Sequence, residues 1–141
     1  MTWEFTLQAI WRLFLAMLMG GLIGLEREKI NRPAGLRTHT LVCMGSALTM
    51  ITSEYIFSKY HTVTNLDPTR LSAQVISGIG FLGAGTIMKD GQRIRGLTTA
   101  ASLWVVACIG LANIRHYRCC YSSIGNVLCY LNIFKKDGDI F

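Results

Sequence analysis

Four long stretches of the chain carry almost no charge, and this feature limits the possible fold more than any other. The charged side chains inside them are Arg12 and Glu54 alone. Each stretch is about 20 residues long, the length at which a helix crosses the ~30 Å hydrocarbon layer of a bilayer. The pattern predicts an all-α, polytopic bundle of transmembrane helices rather than a soluble enzyme. The predicted spans are residues 5–25, 38–57, 71–88 and 96–114.

Composition supports this interpretation, since charged residues are 16% of the 141 residues, against roughly a quarter in soluble domains. A signal peptide would carry positive charge before its apolar core, whereas Glu4 precedes the first stretch. Serines and asparagines interrupt a fifth uncharged stretch, residues 119–134, which we predict as a fifth, weakly inserting span. We therefore divide the chain into a transmembrane domain, residues 1–114, and a divergent C-terminal segment, residues 115–141.

The basic residues predict the orientation of the bundle. A net charge of +6 would suggest a nucleic-acid partner in a soluble domain, but the bases lie in short segments between the apolar stretches, so we expect none. With five spans, nine bases lie on one side and four on the other. Bases concentrate on the cytoplasmic side of membrane proteins, which places the N-terminus outside. The two groups are Arg27, Lys29, Arg32, Arg37, Lys89, Arg93, Arg95, Lys135 and Lys136, and Lys59, Arg70, Arg115 and Arg118.

Small residues recur at helical spacing inside the spans. Gly20 and Gly24 form a G-x-x-x-G pattern, and Ala73, Ser77 and Gly80 fall on one face of the third predicted helix. Such faces allow close backbone contact, which holds membrane helices together because lipid tails are as apolar as leucine. The other residues predicted to serve helix packing are Gly78, Gly83, Gly85 and Gly96.

Five polar side chains inside the predicted spans are candidate sites within the membrane, namely Arg12, Glu54, Gln74, Thr98 and Thr99. Arg12 and Glu54 share the outer level of the bundle in this topology, and we interpret them as a structural ion pair, with a conduction or proton-relay role and interfacial snorkelling as alternatives. Gln74 lies about one turn into the third span, where we expect a hydrogen bond to another helix.

Two helix starts have sequence signals. Asp67 followed by Pro68 predicts the beginning of the third helix, and Arg70 belongs to the same motif. Thr98 or Thr99 is expected to cap the fourth helix.

Charged residues of both signs flank the predicted cytoplasmic loops. One interpretation is a pair of orientation loops that face anionic headgroups. The other is a polar mouth in which carboxylates and guanidiniums interlock and receive an ion or a partner. Its predicted members are Glu26, Arg27, Glu28, Arg37 and Arg95.

The sequence offers little catalytic or metal-binding chemistry. Gly78, Gly80 and Gly83 match a dinucleotide fingerprint, but neither the preceding strand nor the acidic residue about 20 positions later is present, so we expect no cofactor. We also predict no metal site, because the five cysteines contain no C-x-x-C pair and Glu54 is the only acid in the spans. His39 has no neighbouring acid or nucleophile and is expected to be solvated or interfacial. We predict no catalytic residues and no enzymatic activity.

Five separate blocks stand out between residues 20 and 112, namely Gly24-Leu25-Glu26-Arg27-Glu28, Ala34-Gly35-Leu36-Arg37-Thr38, Asp67-Pro68-Thr69-Arg70, Gln74 to Gly85, and Arg95 to Trp104. Together they resemble the MgtC/SapB family of bacterial membrane proteins. The resemblance implies a multi-pass inner-membrane protein of about five spans, tied to growth under magnesium limitation, to survival inside host cells and, in some members, to restraint of the F-type ATP synthase. The polar positions in the family's motifs correspond in this sequence to Glu26, Arg27, Arg37, Asp67, Arg70, Gln74, Arg95, Thr98 and Thr99.

Two function classes remain open. The first is a non-enzymatic regulator that packs against another membrane protein or a second copy, and the second is a transporter or channel for a small ion (Mg²⁺ or H⁺) or solute. Larger family members are expected to have an ACT-like C-terminal domain, which the residues before Phe141 do not resemble. A natural short form and a frameshifted end both fit this difference.

Overall fold

The computed structural model describes residues 3–62, 65–91 and 93–112. This part of the chain contains four helices and one antiparallel hairpin. The elements are α1 (Trp3–Lys29), α2 (Leu36–Tyr60), α3 (Thr69–Thr86), β1 (Met88–Asp90), β2 (Arg93–Arg95) and α4 (Leu97–Ala112).

Each of the four predicted spans corresponds to a helix in the described part of the chain, which agrees with the all-α class apart from one short hairpin. The third span was expected to continue to residue 88, whereas α3 ends at Thr86 and Ile87 is extended. The polar sequence after it turns back at Gly91, whose positive φ of 60° suits glycine, and forms the β1–β2 hairpin. The predicted fifth span, residues 119–134, lies outside the described residues.

Two of the described helices, α1 and α2, are long and apolar enough to cross a membrane. The fourth helix, α4, is apolar but has 16 residues. The structure therefore supports a membrane protein, while the number of spans stays a prediction.

The second helix is at the centre of the bundle. It packs against α1 on one side and α4 on the other, and α3 packs mainly against α4. Half of the buried core cluster is alanine or cysteine, and such small side chains allow the helix backbones to approach closely. The buried core cluster consists of Ala16, Ile23, Cys43, Ala47, Val106 and Ile109.

The glycines fall into two groups: some have a neighbouring helix where a Cβ would lie, and others have empty space there. A Cβ at Gly20 would lie 2.7 Å from Cys43 Cβ, and one at Gly24 would lie 2.6 Å from Leu36 Cα, so both glycines sit at the α1–α2 contact. Gly83 is buried against Ala100 of α4. By contrast, a Cβ would meet nothing within 4 Å in the described part of the chain at the three remaining positions of α3, Gly78, Gly80 and Gly85.

Gly96 is required by the backbone conformation at the base of the hairpin rather than by helix packing. Its φ is 87°, and a Cβ there would collide with the Thr86 carbonyl at the base of the hairpin. The Gly96 carbonyl accepts the Ala100 N–H at 2.9 Å. The predicted caps of α4 are therefore wrong, because Thr98 and Thr99 lie within its first turn, Thr98 exposed and Thr99 buried.

Candidate functional site

A buried polar cluster lies where α1 ends and where α2 and α4 begin. It consists of Arg27, His39, Thr99 and Ser102, all buried. The His39 Nδ1 lies 3.0 Å from the Gly35 carbonyl and its Nε2 lies 3.0 Å from Ser102 Oγ. The Ser102 hydroxyl donates to the Thr99 carbonyl at 2.8 Å. The His39–Ser102 contact therefore joins α2 to α4 in the buried interior.

The prediction for His39 is wrong, because its side chain is 0% exposed. The ring faces α4, where Thr99 and Ser102 are three positions apart and thus share a helical face. The spacing of Thr99 and Ser102 was the available sequence signal for a polar face on α4. No sequence rule connects that face to a histidine 63 positions away from Ser102.

We expect Ser102→Ala to lower the free energy of unfolding by about 1 kcal/mol, because it removes one buried hydrogen bond between helices. The measurement is denaturant unfolding in detergent. Ser72→Ala is the matched control, since the Ser72 hydroxyl donates only to Thr69 within α3. Equal losses in the two variants would contradict a role of the His39–Ser102 contact in holding the helices together.

The structure separates the five members of the predicted polar mouth. Arg27 is fully buried, and the Oε2 of Glu26 is buried with no hydrogen-bond partner in the described residues. Glu28 instead accepts the Leu36 N–H at 3.1 Å and so tethers the start of α2. Arg37 and Arg95 are exposed. The predicted mouth therefore divides into a buried part and an exposed part.

At the opposite end of the bundle, Arg12 and Glu54 are in contact as the sequence predicts. The guanidinium donates from Nη1 to Glu54 Oε2 at 2.7 Å and from Nη2 to Oε1 at 3.2 Å. The two side chains are 9% and 19% exposed. They line a cavity of about 490 Å³ together with Gln8, Phe57 and His61. The pair is therefore bidentate and mostly shielded.

The α2–α3 connection ends in a fixed turn at the same end. The Asp67 carboxylate accepts both the backbone N–H of Thr69 at 2.8 Å and its hydroxyl at 2.7 Å. The helix α3 begins at Thr69 with Pro68 as its N-cap, so Asp67 holds the preceding turn rather than capping the helix as predicted. The Ser53 hydroxyl donates to the Pro68 carbonyl and ties this start to α2. Arg70 is exposed and donates its backbone N–H to the Asp67 carbonyl at 3.4 Å.

The hydrogen bond from the Thr69 side chain is the largest cause that lowers the pKa of Asp67. We expect Thr69→Val to raise this pKa toward its ordinary value, as followed by an NMR pH titration. A carboxylate whose folded pKa is lowered stabilises the fold above its unfolded pKa, and this contribution disappears as the pH falls through the folded pKa. Thr52→Val, whose hydroxyl bonds within α2, is the control and should leave the titration unchanged. An unchanged titration in Thr69→Val would contradict the assignment.

One face of α3 is open in the described part of the chain. Ala73, Ser77 and Gly80, predicted to pack, are exposed. Gln74 is also exposed, so its expected interhelical hydrogen bond is absent among the described residues. The described residues likewise contain no group of three or more histidine, cysteine or acidic side chains that could hold a metal ion.

Comparison with known proteins settles the family. The sequence profile of the MgtC family matches residues 13–137. This chain belongs to the MgtC family. The match extends beyond residue 114, while the division into two segments at that position stays a prediction. No solved structure matches the chain.

Curated relatives of this MgtC-family chain are about half identical to it. "Putative magnesium transporter YhiD" of Escherichia coli (strain K12) is 51% identical over 108 residues, which cover 75% of this chain and 50% of the relative. "Protein MgtC" of Brucella abortus (strain 2308) is 50% identical over 68% of this chain and 38% of its own length. "Protein MgtC" of Salmonella typhimurium (strain LT2) is 49% identical, with shares of 72% and 41%. The chain thus spans half or less of these relatives.

Proposed function

We propose that this MgtC-family protein is a multi-pass, non-enzymatic component of the bacterial inner membrane, with its N-terminus outside. It acts in adaptation to magnesium limitation by packing against another membrane complex. The observation that carries the proposal is the open small-residue face of α3, defined by Ala73, Ser77 and Gly80.

This face has the properties of an unused helix contact. At Gly20 and Gly24 the backbone of α2 fills the space beside the glycine, whereas the space beside Gly78 and Gly80 is empty in the described part of the chain. Membrane helices associate through such close backbone contact and through hydrogen bonds between polar side chains. The exposed amide of Gln74 offers a hydrogen bond next to the same surface. A partner helix would fill the empty space beside the glycines and would form a hydrogen bond with the Gln74 amide.

Site-specific photo-crosslinking in native membranes under low magnesium tests the proposal. A photoreactive amino acid at Gly80 should give an adduct containing a membrane-sector subunit of the F-type ATP synthase, the complex suggested by the family resemblance. The matched control is the same group at Leu48, an exposed position on α2, which should label lipid. The proposal fails if the adduct is with the chain itself or a second copy, or if the two positions label the same proteins.

A small-ion transporter is the second candidate. The Arg12–Glu54 pair beside a cavity favours it, as does the printed name of the E. coli relative. Proteoliposomes loaded with a Mg²⁺ or pH indicator test this alternative. Flux that is present in the wild type and lost in Glu54→Gln would support transport and count against the regulator.

A further inference from the structure

The β1–β2 hairpin changes in character from its base to its tip. Its register pairs Met88 with Arg95 at the base, Lys89 with Ile94 in the middle and Asp90 with Arg93 near the turn. All of these side chains are exposed. Each apolar side chain, Met88 at the base and Ile94 in the middle, therefore lies opposite a basic residue, and charged groups alone lie at the tip.

The apolar side chains of the hairpin lack cover in the described part of the chain. Met88 is 70% and Ile94 is 56% exposed, and Ile87 and Leu97 extend the same exposed group at the helix ends. Three residues of strand span about 10 Å, which is close to the roughly 5–8 Å of headgroup region on each side of a bilayer. The hairpin thus has the dimensions of this layer.

Positive charge surrounds these apolar groups. The α1–α2 connection lies at the same end of the bundle as the hairpin, because α1 ends and α4 begins there. Exposed bases at this end outnumber the exposed acids Glu28 and Asp90. Arginine binds phosphate groups in a bidentate manner, and bases near an anionic leaflet are attracted to it. The exposed bases are Lys29, Arg32, Arg37, Lys89, Arg93 and Arg95.

We propose that the β1–β2 hairpin is an interfacial anchor that inserts Met88 and Ile94 below the headgroups and binds anionic phospholipids through Lys89, Arg93 and Arg95. We assign anionic phospholipid as the ligand because the positive charge of this surface complements an anionic leaflet. The anchor is separate from the α3 face and does not depend on a partner there.

Fluorescence quenching of a single tryptophan tests the anchor. The three native tryptophans, Trp3, Trp11 and Trp104, are exposed and are replaced by phenylalanine before Met88→Trp is introduced. In vesicles of brominated phosphatidylglycerol or brominated phosphatidylcholine, we expect blue-shifted emission and several-fold stronger quenching by the anionic lipid. Asp90→Trp at the tip should be red-shifted and less quenched.

A charge variant and its control measure the lipid preference. Each base near an anionic surface contributes about 1 kcal/mol, a factor of about five, so Lys89→Gln/Arg93→Gln/Arg95→Gln should lower the preference at least fivefold. Lys59→Gln/Arg70→Gln at the opposite end should leave it unchanged. Inorganic phosphate at constant ionic strength should not compete.

Three results would overturn the proposal. Water-like emission from Met88→Trp would place the hairpin in solvent. Displacement of the lipid preference by inorganic phosphate would indicate a site for free anions. Protection from both brominated lipid and an aqueous quencher would show that protein covers the hairpin.

Discussion

Gly24→Ala should strongly destabilise the contact between α1 and α2. The added Cβ would lie 2.6 Å from Leu36 Cα and 3.1 Å from the Gly35 carbonyl oxygen. Both contacts are backbone, so relief requires α1 and α2 to move apart. Overpacking of a tight interior costs about 1–3 kcal/mol, and we expect the upper end, about 3 kcal/mol.

The same substitution in α3 provides the control. A Cβ at Gly80 meets nothing within 4 Å in the described residues, and alanine is about 1 kcal/mol more favourable than glycine inside a helix. Gly80→Ala should therefore be neutral or slightly stabilising in purified protein. Reversible unfolding in mixed detergent micelles measures both variants. Equal stabilities would show that α1 and α2 are not in close contact at Gly24.

Loss of either member of the Arg12–Glu54 pair should have a comparable effect. Removal of one partner leaves a charge in a largely shielded site, and such changes cost about 3–5 kcal/mol in full burial. Since Glu54 is 19% exposed, we expect about 3 kcal/mol for Glu54→Gln or Arg12→Gln.

A double-mutant cycle distinguishes this pairing from independent effects. If the pair is structural, Arg12→Gln should cost clearly less in a Glu54→Gln background, because the partner charge is already absent. Unfolding free energies of the four proteins provide the coupling energy. Additive losses would contradict the pair, whatever the size of the single effects.

The sequence predicted most of the helices for a simple physical reason. Bilayer thickness imposes a minimum length on uncharged segments, and the glycine spacing on α1 follows from the helical repeat. Arg12 and Glu54 could be paired because each is a charge that needs compensation at membrane depth. These inferences use the bilayer as a constraint and need little tertiary detail.

The remaining features depend on contacts that one-dimensional patterns do not contain. The burial of His39 depends on how α4 lies against α2, so its polarity alone suggested solvent. The open face of α3 could not be foreseen, because a small-residue stripe predicts that something packs there without identifying the neighbour. The hairpin was missed because its three-residue strands are too short for an alternating pattern to be recognised.

The helices differ in length in a way that affects the surrounding lipid. At 1.5 Å per residue, the 27 residues of α1 extend about 40 Å. The 18 residues of α3 extend about 27 Å, slightly less than an average hydrocarbon layer. A helix as long as α1 fits the bilayer by tilting, whereas a bilayer crossed by α3 would thin beside it to meet the helix ends. If α3 spans the bilayer as predicted, the lipid shell is expected to be thinner beside α3 than beside α1.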